Sequence, residues 1–225
     1  MMGLVWLGDL TTAIGVGTFG SLLAFGWPFL IDVPNPGTAR RVMMATAVLT
    51  AVISYIGDVQ DLAFLAGGVV IAGFLAEMFR RDGRPRLVEQ ISGTVSGGLL
   101  IVLTGLLVPT ERLGESSDLF FLVSNSLGLA LLATIPLVPH VHRAWMAFLG
   151  ALVGSLTALV TVDVGILSLI IAALGAGAVV ALTRTVLDRL PPAGRRRPAL
   201  ALAMVPACLS GPIAFAASVV PMFGS

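Results

Sequence analysis

Asn125 is the most conspicuous polar side chain inside an apolar run of this sequence. It sits in Ser124-Asn125-Ser126, about two helical turns into the run. A carboxamide taken out of water must find hydrogen-bond partners, supplied either by a bound ligand or by a neighbouring helix. Four prolines pose a related question. Pro28, Pro136, Pro206 and Pro212 all fall within apolar runs, where each removes a backbone donor and frees a carbonyl. Interrupted helices at corresponding positions mark substrate sites in some transporters; an ordinary kink near a helix end is the alternative. Gly211-Pro212 is the strongest internal break. Asn125, Pro136, Pro206 and Pro212 are therefore the candidate ligand or helix-break positions.

The ionisable groups are few and stand at the margins of the runs. Glu77 is the deepest acid, and with Arg81 it forms an i,i+4 pair on one helix face, which reads as a surface ion pair before a proton relay. Asp58, Asp61 and Asp163 lie where two hairpins turn, as helix caps or as an acidic mouth for cations. Arg80, Arg81, Arg84 and Arg86, with Arg195, Arg196 and Arg197, are candidate contacts for anionic lipid headgroups. No aromatic residues interleave with them as base-stacking platforms, which excludes nucleic acid as a partner. His140 and His142 are two residues apart, do not share a helix face, and have no nearby cysteine or carboxylate to complete a zinc set. Cys208 reads as packing. Gly15-Val16-Gly17-Thr18-Phe19-Gly20 spells a dinucleotide fingerprint but lies inside an apolar run without the required strand, so helix packing is expected there. So it is at the pairs Gly93/Gly97 and Gly150/Gly154. No catalytic, cofactor or metal site is predicted, and an enzyme is disfavoured.

The elements that must position these residues follow from composition. The chain has 225 residues, 57% hydrophobic and 11% charged, less than half the usual charged share of about 25%. One cysteine excludes a disulfide scaffold, and so much apolar content excludes disorder. The class left is an integral membrane protein. The amino terminus has no basic n-region, so a cleaved signal peptide is not expected. Eight runs approach the roughly 20 residues a membrane-spanning helix needs: about 10–31, 41–57, 62–79, 91–108, 119–138, 144–162, 164–182 and 199–220. They are continuous and not alternating, so the expectation is an all-α, polytopic transmembrane bundle and not a β-barrel.

All 13 basic residues are arginine. Placing both termini outside puts every arginine except Arg112 in cytoplasmic loops, as the positive-inside bias requires. The chain is read as one transmembrane domain, 1–225. A repeat of 1–109 in 110–225 is suggested by Asp58 and Asp163, Pro34 and Pro139, and Arg84 and Arg189, each pair 105 positions apart. Four spans per half would make the halves parallel.

The stretch Glu77-Met-Phe-Arg-Arg-Asp-Gly-Arg-Pro-Arg-Leu-Val-Glu-Gln-Ile-Ser-Gly-Thr-Val95 resembles small multi-pass proteins of high-GC Gram-positive bacteria, labelled permease or hypothetical membrane protein. The resemblance implies a bacterial plasma membrane and no particular catalytic residues. The loop and the helix after it also look like phosphatidate cytidylyltransferases. This chain has no lysine and a nearly uncharged last run, so that activity does not carry over. The expected function is permease-like binding or translocation of a small or amphipathic solute; the alternative is a non-catalytic subunit or scaffold with a homo-oligomeric or other membrane-protein partner. Replacing Arg80, Arg81, Arg84 and Arg86 together with glutamine should disturb membrane orientation. Protease accessibility of the adjoining loops in sealed vesicles reads this, and an unchanged cleavage pattern would contradict it.

Overall fold

In hydrocarbon a backbone can satisfy its polar groups only by hydrogen-bonding to itself, and a helix does so within one segment. A computed structural model describes residues 2–80, 83, 86–112, 116–134, 142–160, 165–187, 190 and 196–220. Among the described residues the chain is all-α. The helices are α1 (Met2–Leu30), α2 (Pro36–Ile56), α3 (Val59–Met78), α4 (Leu87–Thr104), the short α5 (Leu107–Arg112), α6 (Ser116–Ala133), α7 (Arg143–Leu159), α8 (Ile166–Thr185) and α9 (Arg196–Val219). Eight of these are long, and six stretches have the length and hydropathy to cross a membrane. The fourth expected run needs its boundary moved. Instead of ending at Pro109, helix resumes as α5 after a break at Gly105-Leu106, and the apolar stretch extends to Arg112. In the described residues α6 and α7 offer only shorter apolar segments, Phe121–Ala133 and Ala144–Ala158.

Two compact units divide the chain. Unit 1 comprises residues 1–108 and 190–208; unit 2 comprises 109–189 and 209–225. In unit 1, α1, α2, α3 and α4 pack on one another in neighbouring pairs, and glycine sets how closely. A side chain at Gly97 would meet Met43 Cε and Trp27 Cδ1, each at 2.5 Å, so this position is a socket for two large side chains. Gly20 faces Ala47 and Ile101, and Gly17 faces Ala51, so these two glycines of the Gly15–Gly20 string let α1 pack on α2 and α4, while Gly15 meets nothing within 4 Å. At Gly26 the backbone of α9 itself, at Arg197 and Ala201, occupies the space a side chain would need. The outward face of α3 carries Phe64 (78% exposed), Ile71, Phe74 and Met78. Such exposed apolar side chains have lipid as their solvent in a bilayer.

In unit 2, α6, α7 and α8 pack together. Gly150 and Gly154 of α7 lie against the backbone of α6: a Cβ at Gly154 would stand 2.7 Å from both Asn125 O and Ser126 Cα. Main chains this close can move apart only as whole helices. Gly154→Leu should therefore separate α6 from α7 and cost about 1–3 kcal/mol, the usual price of overpacking. Thermal unfolding in detergent measures this, with Gly128→Leu as control, since an added Cβ at Gly128 meets nothing within 4 Å.

Candidate functional site

Proline at N1 and an asparagine cap start α2 where the sequence places Asn35-Pro36. The Asn35 side-chain oxygen accepts from Thr38 N at 3.1 Å. Its main chain is held by Gln90, which is fully buried in the first turn of α4. Asn35 N donates to Gln90 Oε1 at 2.8 Å, and Gln90 Nε2 donates to Asn35 O at 3.1 Å. One amide thus meets both backbone groups of Asn35. Close by, Trp27 Nε1 donates to Gly93 O at 3.0 Å. Asp32 and Arg86 both adopt left-handed backbone (φ 52° each). Their side chains approach at 3.7 Å, and Arg86 also pairs with Glu89.

These contacts gather the end of α1, the starts of α2 and α4, the end of α3 and the start of α9 at one end of unit 1. Arginines collect there. Arg40 stacks over Phe25 with its guanidinium carbon 5.6 Å from the ring centre, and Arg197 over Phe29 at 5.0 Å. Glu77 and Arg80 form an ion pair at 2.7 Å with both side chains almost fully buried. Between α2 and α3 a cavity of about 700 Å³ is lined by Asn35, Thr38, Arg41, Val42, Ala76, Phe79 and Arg80. A smaller cavity of about 270 Å³ has Pro28, Asp32, Arg196, Arg197 and Pro198 in its wall. The opposite end of unit 1 carries acids: at the α2–α3 turn Asp61 Oδ2 accepts from Asp58 N at 2.9 Å, half of a capping arrangement.

The candidate residues are distributed unevenly over this geometry. Of the arginines, Arg80 lines the larger cavity, Arg196 and Arg197 the smaller, and Arg86 binds Asp32 at the turn. Glu77 is held by Arg80, three residues on; the expected pair of Glu77 with Arg81 involves a residue outside the described ones. Asn125 is committed to α7, donating through Nδ2 to Gly154 O at 2.9 Å and Thr157 Oγ1 at 2.8 Å. Its neighbour Ser126 meets Ser155 at 2.7 Å. Helix α9 runs through both Pro206, buried in unit 1, and Pro212, half-buried in unit 2, without interruption. Gly211-Pro212 therefore does not end a helical segment. Pro136, Arg81, Arg84, Arg195, His140 and Asp163 lie outside the described residues.

Sequence reasoning passed over Asn35, Thr38, Arg41 and Gln90. The available signal was a second pair of polar amides, Asn35 and Gln90, each flanking an arginine cluster. Among the described residues no three His, Cys, Asp or Glu side chains cluster as a metal site. What the arrangement offers is cationic hydrogen-bond donors beside an apolar wall, a chemistry that recognises an anion carried on a hydrophobic body. No family model matches the chain, and no curated protein or solved structure matches it. Composition and helices define a multi-pass helical membrane protein.

Removing one member of a buried ion pair leaves the other charge uncompensated. Glu77→Leu should lower stability by about 3 kcal/mol, and the double variant Glu77→Leu/Arg80→Leu should recover most of that loss. Unfolding in detergent across the full double-mutant cycle checks both, and additive losses would show that the pair does not act as a unit.

Proposed function

We propose that this chain is a permease-like protein of the bacterial plasma membrane that binds or moves a small or amphipathic solute at the arginine-rich end of unit 1. The supporting observation is the cavity of about 700 Å³ where Arg41 and Arg80 stand beside Val42, Ala76 and Phe79. Cations and apolar surface there share one wall. In this reading that end faces the cytoplasm and both termini lie outside, in line with the positive-inside bias. The resemblance of residues 77–95 to multi-pass proteins of high-GC Gram-positive bacteria supports the choice of membrane. In the same reading the remaining cytoplasmic arginines contact anionic lipid headgroups.

The test is uptake by proteoliposomes of a panel of radiolabelled amphipathic anions, alkyl phosphates and fatty acids among them. Wild-type protein should show saturable flux above empty liposomes. Arg41→Gln should reduce apparent affinity at least roughly tenfold, since a hydrogen bond to a charged group contributes about 1.5–3 kcal/mol. Absence of flux across the panel would overturn the reading.

One observation favours a second reading, a non-catalytic membrane subunit. In unit 2 the polar side chains that could have met a solute, Asn125 and Ser126, are spent on bonds between α6 and α7. A stoichiometric partner co-purifying from native membrane, with no flux, is the outcome expected of a scaffold.

A further inference from the structure

A second cavity of about 410 Å³ lies between α2 and α3, toward their middles, and shares Arg41 and Val42 with the first, so the two adjoin along one groove. The wall changes character along it. Gly68, Ala72 and Ala76 succeed one another at four-residue steps, which places them along one side of α3, and Arg80, just past the helix end, lines the first cavity. Three small residues thus make a trough that stops at a guanidinium. Across from them, Ala45 and Leu49 of α2 supply apolar surface. The one polar side chain in the deep part, Thr46, donates its hydroxyl to Val42 O at 3.0 Å and has no proton left for a ligand. From Leu65 to Ala76 the trough runs roughly 16 Å at the helical rise of about 1.5 Å per residue, close to the depth of one leaflet in a hydrocarbon core of about 30 Å.

Among the described residues, two guanidinium groups stand at the head of the groove. Arg80 and Arg41 are both in its wall, and the buried acid beside them, Glu77, is engaged with Arg80. Arg41 is exposed and, among the described residues, makes two long contacts, to Gly37 O and Thr38 Oγ1, each at 3.4 Å. A guanidinium has five N–H donors in a fork suited to phosphate oxygens, so Arg41 retains donors for an incoming anion. An occupant must therefore be negative at one end and a flexible hydrocarbon along about one leaflet.

We propose that the α2–α3 groove is a binding site for an anionic phospholipid, its phosphate on Arg41 and one acyl chain laid over Gly68, Ala72 and Ala76. This rests on the solute-binding reading of the same end of unit 1 and specifies its ligand class. A zwitterionic lipid lacks the net charge the head selects, and a free phosphate leaves the trough unfilled.

Neighbouring glycines give a matched pair of variants. A Cβ added at Gly67 or at Gly68 meets nothing within 4 Å, so the two positions are matched in local space, but only Gly68 lines the groove. Full-length wild type, Gly68→Leu, Gly67→Leu and Arg41→Gln are purified in detergent, checked for helicity and monodispersity, and titrated with phosphatidylglycerol or phosphatidylcholine under native mass spectrometry. Wild type and Gly67→Leu should retain phosphatidylglycerol in preference to phosphatidylcholine. Arg41→Gln should lose roughly tenfold in phosphatidylglycerol affinity, and Gly68→Leu should lose a similar amount. Equal behaviour of the two leucine variants, or equal retention of the two lipids by wild type, would overturn the proposal. So would inorganic phosphate displacing phosphatidylglycerol completely while Gly68→Leu has no effect, which would mark a free-anion site. The two readings fail separately: selective retention without flux removes transport and keeps the lipid site, whereas flux without selective retention does the reverse.

Discussion

A peptide group in hydrocarbon has no water to turn to, so each N–H and C=O left without a partner costs several kcal/mol. That constraint organises what is seen here. It makes every described apolar run a helix, and it confines irregular backbone to the helix ends, where side chains complete the pairing. The turn between α1 and α2 shows how demanding it is. The buried carboxamide of Gln90 reaches both the backbone N–H and the C=O of Asn35 from α4, and Ala39 N also donates to that C=O. The indole of Trp27 supplies a donor to Gly93 in the same neighbourhood. Polar residues at this end are structural first, and the cavity beside them is built on that frame.

The two units use polarity differently. Unit 1 concentrates arginine at one end, some of it stacked on Phe25 and Phe29, some paired with Glu77 or Asp32. Guanidinium suits this position because its planar face packs on rings while its edge still donates hydrogen bonds. Unit 2 places its polar groups between helices, where Asn125, Thr157, Ser126 and Ser155 bond across α6 and α7. Close main-chain approach at Gly150 and Gly154 brings those groups into reach. Small residues and hydrogen bonds act there as one device, as is common in bilayers.

The helical class and the positions of the apolar runs were readable from the chain because charge is so scarce within them. Glycine pairs were readable too, since Gly154 against α6 needs no more than a missing side chain. The pairing of Glu77 with Arg80 was not, because Arg80 stands past Met78, where α3 ends and helical spacing no longer places a side chain. Nor could periodicity reveal the cavity, because Thr38 and Arg41 begin one helix and Ala76 and Arg80 end the next. They become neighbours only when α2 and α3 pack. Asn125 had two readings with the same physical motive, an amide seeking partners; linear sequence cannot say that Gly154 O would be in range.

The division of α9 has a bearing on how the protein is made. Residues 190–208 belong with unit 1, and the backbone at Arg197 and Ala201 fills the notch left by Gly26. Gly26 leaves the ribosome about 170 residues before its counterparts. Helix α1 must therefore wait in the bilayer, with that notch lipid-filled, while the intervening segments are inserted. Nascent chains released before residue 197 would carry an open seam along α1, and membrane quality-control proteases would have a physical mark by which to know them.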